Sequence, residues 1–239
     1  MKDKDIVHLV NTCLSNLQDA RTMLESNPSL VHERTSIDET ALILLLRWYS
    51  PENCDITQHI NAIKMLLDFG ADIYASNGCG SNPIHNAISS REIDVVKYLI
   101  SKGAEINPDY GFIGQSTLQH GIMSNNIELV KYLIENGADI NAKDDFGQTP
   151  IHMTADKDSK IEFTKLLIHY GADVNTISEF HCTPLDEAYS EGSILNITYL
   201  IDKGASINST TWDNIPTKIL EEEKYSELLK PLYSKDTPK

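Results

Sequence analysis

Gly-Ala followed by Asp, Glu or Ser occurs five times: Gly70-Ala71-Asp72, Gly103-Ala104-Glu105, Gly137-Ala138-Asp139, Gly171-Ala172-Asp173 and Gly204-Ala205-Ser206. The glycines are spaced by 33, 34, 34 and 33 residues. An apolar run precedes each, as in Lys97-Tyr98-Leu99-Ile100 and Lys131-Tyr132-Leu133-Ile134. Ile106-Asn107, Ile140-Asn141, Val174-Asn175 and Ile207-Asn208 follow four of them. A unit of this length cannot bury its apolar faces alone. It becomes stable by stacking on neighbours, so the period dictates a solenoid.

A second motif keeps a fixed offset from the first. It reads Asn82-Pro83-Ile84-His85, Thr149-Pro150-Ile151-His152 and Thr183-Pro184-Leu185-Asp186, with Thr40-Ala41-Leu42-Ile43 and Ser116-Thr117-Leu118-Gln119 as proline-free copies. Proline suits a first helical turn, where its missing N–H would be unpaired in any case. The preceding Thr can cap that helix through its hydroxyl. The glycine ending the unit permits the left-handed turn that stops a second helix. Each unit is therefore expected to hold two helices.

These motifs resemble the ankyrin-repeat family over roughly Thr40 to Asn208. The resemblance implies an all-α solenoid of stacked helix–turn–helix units joined by projecting β-hairpin loops. We expect one domain over 1–233: an N-terminal cap at 1–37, about five repeats at 38–212 and a C-terminal cap at 213–233, with a frayed tail at 234–239. Asp5 to Ser26 reads as a helix pair, and Asn27-Pro28-Ser29-Leu30-Val31 stands where Gly-Ala-Asp would be. An insertion around Trp48–Cys54 separates the helices of one unit, and Asp156-Lys157-Asp158 marks a smaller departure.

Charge narrows the partners. The formal net charge is −15, so nucleic acid and anionic membranes are repelled and a basic protein surface is attracted. No run of about 18 apolar residues is present, and membrane association is not expected. The cysteines, Cys13, Cys54, Cys79 and Cys182, form no C-x-x-C pair, which reads as reduced thiols in a cytoplasmic setting.

Catalytic and cofactor motifs are missing. Cys79-Gly80-Ser81-Asn82 only faintly echoes a cysteine-protease nucleophile loop, and Gly78-x-Gly80 lacks the third glycine of a dinucleotide fingerprint. His85 and His152 lie two units apart, about 20 Å at a helix spacing of ~10 Å, and cannot share a metal ion. The resemblance gives them a structural role, bonding neighbouring backbone and knitting adjacent units. His181-Cys182 supplies two ligands, too few for zinc. We expect no enzyme activity, no cofactor and no metal.

The resemblance instead implies a protein-interaction module, an adaptor, inhibitor or scaffold that binds through its concave face and hairpin tips as a monomer. An alternative is an exported effector or regulatory subunit acting on an enzyme encoded elsewhere. Carried over position by position, the contact residues are Phe112, Ile113, Phe146, Phe180 and Trp212 at the tips. Met123, Asp156, Lys157, Ser190 and Glu191 are their counterparts beside the first helices. Phe112, Phe146 and Phe180 recur every 34 residues, and equal register in a stacked array places rings side by side. Exposed aromatic rings are favoured interface anchors; the plainer role is packing of each ring on the adjacent hairpin.

Overall fold

The structure, a computed structural model, describes residues 2–48, 55–108, 114–155 and 157–206. The expected C-terminal cap and tail, the Tyr49–Cys54 part of the insertion, and the contact positions Phe112, Ile113, Asp156 and Trp212 lie outside the described residues. The chain divides into two compact units, 1–138 and 139–239.

The first unit opens with α1 (Lys2–Ser15) and α2 (Leu17–Ser26), the expected N-terminal helix pair. Their apolar side chains Ile6, Leu9, Val10, Cys13, Ala20 and Leu24 are fully buried. Asn16 caps α2 by accepting the Gln18 and Asp19 N–H groups. A 3-10 turn, Pro28–Val31, replaces the glycine turn of the later units.

α3 (Ala41–Arg47) is seven residues long, and its first six are all buried. A helix apolar on every side must be surrounded, and α3 packs against α1, α4 (Ile56–Asp68) and α5 (Pro83–Ser89). Trp48 follows α3 as its C-cap and is half-buried. α6 (Ile93–Ser101), α7 (Thr117–Met123) and α8 (Ile127–Glu135) complete this unit. The second helices bury one stripe in equal register: Val95, Val96 and Leu99 on α6, Leu129, Val130 and Leu133 on α8.

The capping chemistry matches the motif. The side chains of Thr40, Asn82 and Ser116 accept the N–H three residues on, and Ser116 with Gln119 closes a reciprocal capping box. At the other end, Gly103 adopts φ +95° and donates to the Ile100 carbonyl, and Ala104 donates to Leu99, both at 3.0 Å. The glycine is needed because a Cβ disfavours that left-handed backbone. Alanine follows because its methyl is buried, only 7% exposed.

The second unit holds α9 (Pro150–Ala155), α10 (Ile161–His169), α11 (Pro184–Ser190) and α12 (Ile194–Asp202). Its core stripe is partly polar. Thr164 Oγ1 donates to Asn196 Oδ1 at 2.8 Å, and Asn196 Nδ2 donates to the carbonyls of Lys157 (2.8 Å) and Thr154 (3.2 Å). Both Thr164 and Asn196 are fully buried, and these bonds offset the cost of placing an amide there. The small departure seen in the sequence has a use: residues 158–160 form a 3-10 turn, and Asp158 Oδ1 accepts Ser193 Oγ (2.7 Å) and the Leu195 N–H (2.9 Å). Asp158 thereby caps α12 from the preceding repeat.

Asn107, Asn141 and Asn175, each following a Gly-Ala turn, are cross-repeat ties. In the first unit Asn107 Nδ2 donates to the Gly137 carbonyl at 2.8 Å. In the second, Asn141 Oδ1 accepts the Asp173 N–H at 3.0 Å, and Asn175 spans to Gly204 and Ser206.

Candidate protein-binding surface

Between repeats the chain projects as a tight turn with one recurring design. Residues 77–81, 144–148 and 178–182 each close with an N–H to carbonyl bond between first and fifth residues, at 2.9, 3.0 and 3.0 Å. The first residue is polar for a reason. Asn77 Oδ1 accepts the Cys79 and Ser81 N–H groups, and Asp144 Oδ1 accepts those of Phe146 and Gln148. The fourth residue is left-handed: Gly80 (φ 76°), Gly147 (68°) and His181 (59°). Side-chain acceptors take N–H groups that a ladder would use, so at these three places the expected β-hairpins are turns. Among the described residues β-pairing is confined to an isolated Arg34–Thr40 bridge.

In the second unit two successive turns are joined. The Glu179 N–H donates to the Phe146 carbonyl at 2.8 Å, and Lys143 Nζ donates to the Ile177 carbonyl at 3.2 Å. This fixes the distance between tips and sets Phe146 against Phe180, with ring centroids 5.8 Å apart and planes inclined by 23°. Both rings stay open to solvent, 42% and 62% exposed, and Ile177 beside them is 54% exposed. The side-by-side register expected of rings one period apart holds for this pair. The rings pack on each other, as the plainer reading has it, and still present apolar area outward.

The remaining described positions expected to make contact are exposed as well. Met123 ends α7 in the first unit and is 56% exposed. Lys157, Ser190 and Glu191 are exposed in the second unit, the last two at the C-terminal end of α11. Sequence reasoning missed Ile177; its signal was an apolar residue between Val174-Asn175 and the turn.

The histidines divide. His152 performs the expected knitting: its Nδ1 accepts the Thr149 N–H at 3.1 Å, which fixes the proton on Nε2, and Nε2 lies 3.1 Å from the Cys182 carbonyl one repeat on. His85 does not. Asn82 replaces Thr, its amide oxygen takes the His85 N–H, and both ring nitrogens of the buried His85 lack a partner among the described residues.

Cys79 sits exposed on a turn. Burial, then Glu187 and Asp186, hold the Cys182 thiol above its ordinary pKa, which disfavours a thiolate. Among the described residues no group of three or more His, Cys, Asp or Glu could hold a metal ion, and no helix is long and apolar enough to cross a membrane.

The family model described as Ankyrin repeats (3 copies) matches residues 16–110, 54–144 and 118–211. Among curated relatives, the chain is similar to Protein phosphatase 1 regulatory subunit 27 of Homo sapiens and of Mus musculus, 36% identical to each over 50 residues. That stretch is 21% of this chain and 32% of each relative, so the chain spans about a third of their length. Helix pairs, glycine turns at the repeat period and projecting tips agree with the family match across most of the sequence: the chain belongs to the ankyrin-repeat family and is a protein-interaction module.

Proposed function

We propose that this chain docks a protein partner through its turn tips and the adjoining ends of its first helices, acting as an adaptor, inhibitor or scaffold without catalysis of its own. The observation that carries this reading is the Phe146–Phe180 pair: two stacked rings held by hydrogen-bonded turns and still exposed. Aromatic side chains held rigid before binding lose little conformational freedom on contact, the property that makes anchors effective. Lys157, Ser190 and Glu191 belong to the proposal as exposed polar positions of the second unit, and Met123, taken by itself, as an exposed apolar position of the first. The net charge of −15 favours a partner with a basic surface and steers its approach. Outside the described residues, Phe112, Ile113, Asp156 and Trp212 belong to the same proposal by register.

Affinity enrichment from a native lysate tests it. The bait is compared with Phe146→Ala/Phe180→Ala and with Lys165→Ala, a change on the second-helix face. A partner retained by the parent and Lys165→Ala but lost from the double variant supports the reading. Equal retention by all three contradicts it.

A second reading, a regulatory subunit that modulates an enzyme encoded elsewhere, is favoured by the similarity to a phosphatase regulatory subunit. Recovery of an enzyme whose rate changes on adding the purified chain would establish it; an enriched partner without activity, or one whose rate is unmoved, would not.

A further inference from the structure

α5 and α7 are neighbouring first helices in the first unit, and each contributes an imidazole to their contact. The rings of His85 and His120 lie with centroids 4.8 Å apart, tilted by 42°. His85 is 1% exposed. Neither of its nitrogens has a hydrogen-bond partner among the described residues, and the buried Nε2 of His120 has none. His152 shows the contrast, since its ring is bonded at both nitrogens. Three nitrogens of the two touching imidazoles, both of His85 and Nε2 of His120, are buried without a partner among the described residues, and that contact favours the state in which both rings are neutral.

We propose that His85 and His120 form an acid-labile latch, closing α5 onto α7 when both rings are neutral and opening when either takes a proton. A proton added to His85 would be buried without an acceptor and would face the His120 ring, and one added to His120 would face the buried His85. The charged groups on the helices around the pair do not relieve this. α3 carries Arg47, which pairs with the buried Glu39. α6 carries Asp94 and Lys97, the latter over the Tyr132 ring. α8 carries Glu128, Lys131 and Glu135, the last two paired with each other. α5 and α7 carry no other ionisable side chain. Burial holds both imidazoles below their ordinary value, that of His85 at about 3 with His120 as the second cause.

These pKa values set the direction of the pH effect. In the open or unfolded chain each ring takes a proton near pH 6.5; in the closed state His85 does so only at about 3, and His120 below its ordinary value. Closure is complete above about pH 6.5 and is lost as the pH falls below it, tenfold per pH unit for each histidine. For two rings the closing constant drops by up to about 100-fold per pH unit.

Two measurements on the full chain test the latch. Hydrogen exchange of the α5 and α7 amides, corrected for intrinsic rates, should lose protection with the two-proton slope below about pH 6.5. In His120→Leu, and in His85→Leu, the slope should fall by that of one proton. His59 on α4 adds the same background to parent and variants, so the difference isolates the pair. Slopes unchanged in His120→Leu overturn the proposal, whether or not His85→Leu folds. Independently, the ring carbons of His85 and His120 in the labelled parent should keep neutral-imidazole NMR shifts below pH 6 and then change together as the contact opens. Separate titration near pH 6.5 in the closed state would overturn it.

Discussion

The Glu179 N–H donates to the Phe146 carbonyl at 2.8 Å, so one projecting turn is hydrogen-bonded to the next. Gly147 lies beside that bond with φ +68°, and a Cβ there would come within 2.9 Å of the Glu179 nitrogen. Gly147→Ala therefore meets both the left-handed strain, about 1–2 kcal/mol, and a backbone clash. We expect a loss of at least ~2 kcal/mol and a melting temperature lower by about 4–8 °C. A thermal melt indistinguishable from the parent would show that the turns are not so coupled.

His152 and His85 occupy the same motif position with opposite bonding, and their substitutions should differ accordingly. His152→Ala removes the bridge between Thr149 and the Cys182 carbonyl and leaves a cavity, at a cost of about 2–4 kcal/mol. His85→Leu breaks no hydrogen bond among the described residues and removes two unpartnered nitrogens, so at pH 7 it should change stability by less than about 1 kcal/mol. Urea unfolding of the two variants checks the contrast; equal losses would contradict it.

Arg91 stands at φ +64° in the turn between α5 and α6, where Gly192 stands at φ +68° between α11 and α12. A side chain in the left-handed region is strained, and glycine is not. Arg91→Gly should raise stability by about 0.5–1 kcal/mol, read as a 1–4 °C rise in melting temperature. A fall of that size would mean the arginine side chain has a compensating role.

The fold was legible because its signals are local and periodic. Thr40, Ser116 and Thr183 announced helix starts and Gly103 a helix stop, and each acts through its own backbone within a few residues. What the sequence did not convey depends on which side chains meet across repeats. Asn196 looks like a surface polar residue in an apolar helix until Thr164 and the Lys157 carbonyl are placed around it. His85 reads as a knitting histidine until Asn82 takes its cap and His120 meets its ring. Of the candidate surface, register set Phe146 beside Phe180; the exposed Ile177 next to them became visible only in the structure.

The central claim is that this module binds through its exposed aromatic tip. The most direct measurement is the dissociation constant of the enriched, purified partner for the parent and for Phe146→Ala, Phe180→Ala and the double variant, with thermal melts alongside. Anchor truncations commonly cost about 2 kcal/mol or more, so each single change should weaken binding roughly 30-fold. The double change should be less than additive, because the rings stack on each other. Melting temperatures should stay within about 4 °C of the parent. Unchanged affinity in the double variant, with or without a loss of stability, would contradict the claim and confine the pair to packing between turns.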